Sequence, residues 1–442
     1  CKAENLVSVT IPSSVTSIGG YAFSICGKLE SVIIPEGVTI INENTFNECK
    51  SLRSVSIPKS VTTIKEGAFY GCESLTSVDL PEGLTSIKIQ AFWGCKQLTS
   101  IAIPDGITTI EDHVFYDCTN LSSVTMGDNV TSIGRSAFMF SKLKSIAIGE
   151  NVTSIGDEAF SYCFDLESIT IGSGVTTVGA NIFEGTNNVK TIYCGSSAIA
   201  DQLPAASEVL LTYESDGNGG IKITKATLSD TVTSYDIPSE INGKPVTVIG
   251  SSAFMKNKNL VSVTIPEGVT TIEDSAFLKN ENLVSVTIPS SVNSIGEYAF
   301  SECGKLESVV IPEGVTIINE CTFLNCTSLQ SVTIPKSVTV IGGGAFNNCS
   351  SLESVTLPEN LTSIKYNAFF YCSKLTSIVI PDKVTEIEDC VFAYCNNLSS
   401  VTMSENVTSI GNYAFVGSGL KSVTIGENVT SIGDEAFNNC SK

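Results

Sequence analysis

Residues 283–307 read LVSVTIPSSVNSIGEYAFSECGKLE, and their spacing decides the fold. Val286 and Ile288 alternate with Ser285 and Thr287, the period of two of a half-buried strand. Pro289 has no N–H to give to a ladder, so it ends that strand. Val292 and Ile295 point a second short extended piece inward, and Gly296 turns the chain. Ala299, Phe300 and Cys303 supply the far side, where a helical or 3₁₀ turn is expected. The unit runs from Leu283 to Lys305, begins again at Leu306, and returns through nearly the whole chain. Its Phe falls at Phe23, Phe46, Phe69, Phe92, Phe115, Phe138, Phe160 and Phe183. It resumes at Phe254, Phe277, Phe300, Phe323, Phe346, Phe369, Phe392, Phe415 and Phe437. A fixed internal period of this length is the mark of a solenoid.

One such unit cannot bury its own apolar side, but stacked units can, each strand pairing in parallel with the next. Strands stack about 4.8 Å apart, so the repeats would span roughly 80 Å. The pattern L-x-x-L-x-L at Leu283, Val286 and Ile288 fits a leucine-rich repeat strand. The expected fold is an α/β solenoid: a right-handed leucine-rich repeat superhelix of 23-residue repeats. A concave parallel β-sheet would form one side, with short strand and 3₁₀ turns on the convex side.

Composition bounds the function. The chain has 442 residues, is 42% apolar and only 16% charged, and carries a formal net charge of -21. Such a balance excludes disorder. The negative charge argues against a nucleic-acid partner held through phosphates. No run of apolar residues is long enough for a membrane span. Cys1 falls in mid-repeat and Lys442 just before the next Leu would fall, which is the pattern expected of a piece of a longer array. Cys1 is also compatible with a lipidated first residue.

Three segments follow in order. Residues 1–207 are read as a first array with a closing loop or short helix over 195–207. Residues 208–253 read as a β-hairpin cap, because Asp216-Gly217-Asn218-Gly219-Gly220 separates two strand-like runs. Residues 254–442 are the second array. Residues 278–442 match residues 1–165 at 117 of 165 positions without a gap, so the block that begins at Cys1 begins again at Leu278.

Twelve of the sixteen cysteines share one column, three residues after the Phe. They are expected as free, buried, small apolar side chains, and no C-x-x-C or His partner suggests a metal. The lone histidine, His113, stands in a column otherwise filled by Tyr21, Asn44, Gly67, Gln90 and Ser136, which reads as a variable surface position. No nucleophile and base recur together in both copies, so no catalytic residue, cofactor-binding residue or metal ligand is assigned and no cofactor is expected. The Asp216 turn only faintly resembles a calcium loop. Trp93 reads as packing or a surface anchor. The N-x-S/T sequences at Asn120, Asn129, Asn151, Asn360, Asn397, Asn406 and Asn428 arise from the repeat itself.

The outward strand positions remain as the candidate binding face. They are Ser8, Thr10, Ser31, Ser54, Ser262, Thr264, Ser285, Thr287, Ser331 and Thr333, bordered by a variable column that includes Glu30 and Arg53. A hydroxyl-rich sheet with a variable edge suits protein or glycan binding over a wide area. Ser and Thr also suit any exposed strand.

The repeat L-x-S-V-T-I-P-x-x-V-T-S-I-G-x-x-A-F-x-x-C closely resembles the BspA-like leucine-rich repeat family, found in gut and oral bacteria and in trichomonads. The resemblance covers nearly the whole chain, and the segment from Ile237-Pro238 to Phe254 looks like that family's N-terminal cap. It implies a non-catalytic cell-surface or secreted protein. Such a protein adheres to host cells, matrix protein, glycan or other microbes. The alternative is a structural spacer, stalk or filament of duplicated modules, self-associating through its repeat ends.

Overall fold

The computed structural model describes residues 5–196, 198–203 and 208–440. Cys1 and its lipidation, together with Pro204 of the closing segment, lie outside them. The chain forms two compact units, one ending at Thr212 and the other beginning at Tyr213. Each is a β-solenoid, and the column phenylalanines mark seventeen turns in all. Helix is scarce: among the described residues a single 3₁₀ turn, Ala200–Gln202, falls within the expected closing segment.

Most turns of the solenoid carry two short strands, because the sequence alternates apolar and hydroxyl residues twice. In the first unit Ser31–Ile33 pairs with Ser54–Ser56 in parallel, Ser31 opposite Ser54. The second strands repeat the rule, with Ile40–Ile41 beside Thr63–Ile64. The second unit does the same: Ser262–Thr264 pairs with Ser285–Thr287 and Thr271–Ile272 with Ser294–Ile295. Partners stand one repeat apart, so inward side chains lie over their own kind, Val32 beside Val55 and Ile41 beside Ile64.

First strands followed by proline reach at most three residues, although Gly127 at the same place also follows a strand of three, Ser123–Thr125. Where Ile34-Pro35 follows, the strand stops at three residues. Gly149 and Gly172 stand at this place in two later turns, and there the strands reach four residues, Ser145–Ile148 and Ser168–Ile171. The N–H of Gly172 donates to the carbonyl of Ile148 at 3.0 Å, a bond that proline cannot make.

The expected helical turn around the Phe is absent, and the reason lies in the backbone. Residues two before and two after the column Phe adopt positive φ, such as Tyr21 (58°) and Ile25 (61°), or Tyr298 (55°) and Glu302 (58°). That reversal breaks any helix. The N–H groups then alternate in use. Those of Tyr21, Phe23 and Ile25 donate to Glu43, Thr45 and Asn47 of the next turn at 3.0, 2.9 and 2.7 Å. Those of Ala22, Ser24 and Cys26 close tight turns onto Gly19, Tyr21 and Phe23. A left-handed residue costs about 1–2 kcal/mol without glycine. The inter-turn bonds offset that cost, because they satisfy N–H groups that would otherwise lie unpaired beside the core.

The core is a set of ladders. The phenylalanines stack from turn to turn, with centroids 5.3–5.6 Å apart from Phe23 through Phe160 and 5.1–5.6 Å from Phe254 through Phe437. Parallel aromatic pairs of this kind add about 0.5–1.5 kcal/mol each beyond the area they bury.

The segment between the arrays is strand-rich. Val209–Ser215 lies parallel to Thr191–Cys194 at its start. In the second unit Ile221–Leu228 pairs in parallel with Lys244–Ile249, which Glu240–Ile241 meets antiparallel.

Candidate interaction faces

The first strands present the candidate residues outward, as expected. Ser8, Thr10, Glu30, Ser31, Arg53, Ser54, Thr264, Ser285, Thr287, Ser331 and Thr333 are exposed and Ser262 is half-buried. Within each unit they form continuous columns: Ser8 lies beside Ser31, and Ser31 beside Ser54. The border column is less available than its sequence suggests. Its hydroxyls turn back onto the preceding turn, as Thr76 donates to the carbonyl of Arg53 at 3.2 Å and Ser122 to that of Thr99 at 3.2 Å.

The cysteine column does more than fill space. The column thiols other than Cys26 donate to the carbonyl of the Phe one turn earlier, Cys49 to Phe23 at 3.1 Å and Cys349 to Phe323 at 3.3 Å. Where cysteine is missing, a better donor does the same work. Thr186 donates to Phe160 at 2.8 Å and Asn280 to Phe254 at 3.0 Å. Ser141 and Ser418 instead meet the next column thiols, Cys163 and Cys440, at 3.1 and 3.3 Å. Burial pushes the thiols up, Cys49, Cys303 and Cys395 to about 12. Such groups stay protonated and are poor nucleophiles. Fifteen cysteines are free among the described residues.

Other polar candidates are occupied by the scaffold. Asp216 accepts from the N–H of Asn218 and Gly220 at 2.7 and 2.8 Å and from the Thr247 hydroxyl at 2.6 Å. These bonds, that of Thr247 first, hold its carboxyl below the usual range. The turn uses this carboxylate. Asp112 and Asp389 hold corresponding backbone N–H groups of the next turn, at Arg135 and Asn412, both at 2.7 Å. The amides of Asn129, Asn151, Asn406 and Asn428 donate to the preceding turn at 2.8–2.9 Å, so the glycosylation-like sequences form a structural ladder. Among the described residues no three His, Cys, Asp or Glu side chains are placed to hold a metal ion. No helix there is long and apolar enough to cross a membrane.

The opposite side, formed by the turns around the Phe, carries a feature that the strand-centred reading passes over. In the first unit Tyr70, Trp93 and Tyr116 follow the column Phe in three successive turns. Trp93 lies 5.7 Å from Tyr70 and 4.0 Å from Tyr116. Tyr116 meets Phe140 edge-on at 5.5 Å, Phe140 stacks on Tyr162 at 5.1 Å, and Tyr162 meets Phe164 at 6.1 Å. His113 belongs to this stripe, half-buried against Trp93 at 5.3 Å, and burial lowers its pKa. The signal was present in the sequence as three aromatic residues spaced one repeat apart.

Comparison with known proteins places this architecture. A family model described as a BspA type leucine rich repeat region (six copies) matches residues 1–119, 85–202, 226–349 and 316–442. Among solved structures, the chain is similar to a leucine-rich cell surface protein of Faecalibacterium prausnitzii. Identity is 26% over 90% of this chain and 88% of that one, with a TM-score of 0.36. It is also similar to a leucine-rich repeat protein of Bacteroides ovatus, at 26% identity over 98% of this chain and 85% of that one, with a TM-score of 0.40. No curated protein matches it.

Proposed function

Because the chain belongs to the BspA-type leucine-rich repeat family, we propose that it is a non-catalytic binding protein of the cell surface or extracellular space. Its role is to engage a macromolecular partner, adhesin-like, through the broad outward faces of the solenoid. The observation that carries this reading is the division of labour in the repeat. Core columns, inter-turn bonds and carboxylates are committed to the scaffold, while exposed side chains form wide columns on rigid backbone. A rigid face loses little conformational entropy on binding, which favours recognition over area. The partner class is a protein or glycan on a host or microbial surface. An acidic chain of net charge -21 disfavours polyanions.

Near-identity of the two arrays favours a second reading, a spacer or filament whose modules set length. Light scattering on the purified chain, followed by surface plasmon resonance against arrayed purified matrix proteins and oligosaccharides, separates the two. A monomer with saturable binding to a defined subset is expected. Concentration-dependent polymers with no saturable binding contradict the binding reading and support assembly.

A further inference from the structure

The duplicated arrays part company on one face. Residues 1–165 and 278–442 differ at 48 positions. In the windows from four residues before each column Phe to five after it, the Ala, Phe and Cys columns do not differ at all. Outside those three columns, 30 of the 49 window positions differ. At the outward positions of the first strands only 7 of 21 differ, and the Ser column, from Ser8 and Ser285 to Ser145 and Ser422, is identical in all seven pairs. The strand positions are mostly exposed and the turn positions mostly half-buried, so the more variable face is the less exposed one and exposure does not account for the contrast. The turn-face columns hold chiefly Tyr, Asn, Ser and Gly with one Trp, the residue types that antibody loops use against proteins.

We infer that the aromatic stripe Tyr70, Trp93, Tyr116, Phe140, Tyr162 and Phe164 on the turn face of the first unit is an interaction surface for a protein segment bearing basic and apolar side chains. This rests on the reading of the chain as a binding protein and names the surface and the partner chemistry. Tyr and Trp are the residues most enriched at interface hot spots. The rings stack on one another, so the faces of Trp93 are taken up by Tyr70 and Tyr116. A sugar ring needs a free aromatic face, whereas ring edges and phenol hydroxyls suit a protein surface. Charge selects the sign of the partner. Asp112, Asp117, Asp157, Glu158 and Asp165 flank the stripe and outnumber the cations Lys96, Arg135 and Lys142, of which Arg135 is paired with Glu158 at 3.3 Å and Lys96 with Glu73 at 3.6 Å.

Trp93 is the only tryptophan of the chain, so its fluorescence reports on this surface. The test is selection from a phage-displayed random dodecapeptide library on the immobilised chain, followed by titration of the enriched peptides in solution. Enriched peptides should carry Arg or Lys with Leu, Ile or aromatic residues, and binding should shift Trp93 emission. Tyr116→Ala with Tyr162→Asn should raise Kd about tenfold or more. The second array holds Ala393 and Asn439 at these two places, so the frame accepts both changes. Circular dichroism should be unchanged. Ser31→Ala, Ser54→Ala and Ser77→Ala together should leave Kd within about twofold. No enrichment, or peptides whose affinity ignores the tyrosine changes, overturns the inference. Affinity lost to the serine changes alone overturns it while leaving the binding reading intact.

Discussion

The strand face and the turn face are built from the same 23-residue repeat, yet they treat their side chains differently. On the strand face the backbone is ordinary β-ladder, and the Ser column is the same in every compared turn. On the turn face the backbone is strained, with paired left-handed residues in each repeat, and the outward side chains vary. Regular backbone therefore does not mark the recognition surface in this molecule. The turn face can vary because its conformation is held by N–H groups reaching the next turn and by the Phe and Cys ladders beneath, not by the outward side chains.

The largest effect should come from removing the support of the turn face. Phe346 is fully buried between Phe323 and Phe369, at 5.5 and 5.4 Å. Phe346→Ala should cost about 3–5 kcal/mol in urea unfolding, since the two stacked rings cannot close the cavity. Left-handed positions come next. Asn348 sits at φ 57°. Asn348→Val should destabilise by about 1–2 kcal/mol and Asn348→Gly should be near neutral. Equal effects would mean that the inter-turn bond does not impose the conformation.

The thiol ladder sharpens the comparison further. Cys72 donates to the carbonyl of Phe46 at 3.2 Å. Cys72→Val should cost about 1 kcal/mol more than Cys72→Thr, whose hydroxyl can serve as that of Thr186 does. The pH dependence has a defined sign. Burial raises the thiol pKa in the folded state, to about 12 at Cys49 and about 11 at Cys163, above the ordinary 9.0. Stability from the neutral thiols is thus complete below about pH 9 and is lost as pH climbs toward about 12. Thermal melts between pH 8 and 11 should show a steep alkaline fall that Cys72→Thr with Cys95→Thr softens. The smallest effect belongs to the strand face: Ser54→Ala should change stability by less than about 0.5 kcal/mol.

Much of this was legible in the sequence. The period, the alternation of Val and Ile with Ser and Thr, and the prolines after the strands specify parallel ladders, and those ladders form. The turn around Phe was not legible as it is, because Tyr, Glu and Ile carry no glycine-like signal for positive φ, although Asn at Asn44, Asn348 and Asn367 does. The same place holds glycine at Gly67, Gly94 and Gly344, which is the trace that points to it. The thiol bonds were hidden because cysteine reads as apolar, although Asn280 and Thr186 in the same column betray a donor. The serine face was chosen on exposure, which the structure supports. The aromatic stripe is hard to read in the sequence because its members sit in three columns, one, two and four residues after the column Phe.

The most direct test moves the turn face between the arrays. Asn347→Tyr, Phe370→Trp, Tyr371→Gly, Ala393→Tyr and Tyr394→Asp give the second array the counterparts of Tyr70, Trp93 and Tyr116, the first three members of the stripe. With Tyr70→Asn, Trp93→Phe and Tyr116→Ala in the first array, peptide affinity and the tryptophan emission shift are measured beside urea unfolding. The unfolding midpoint should hold and both binding signals should follow the transplanted residues. A collapsed midpoint, or affinity in the first array unchanged by the loss of Tyr70, Trp93 and Tyr116, would contradict that reading of the turn face.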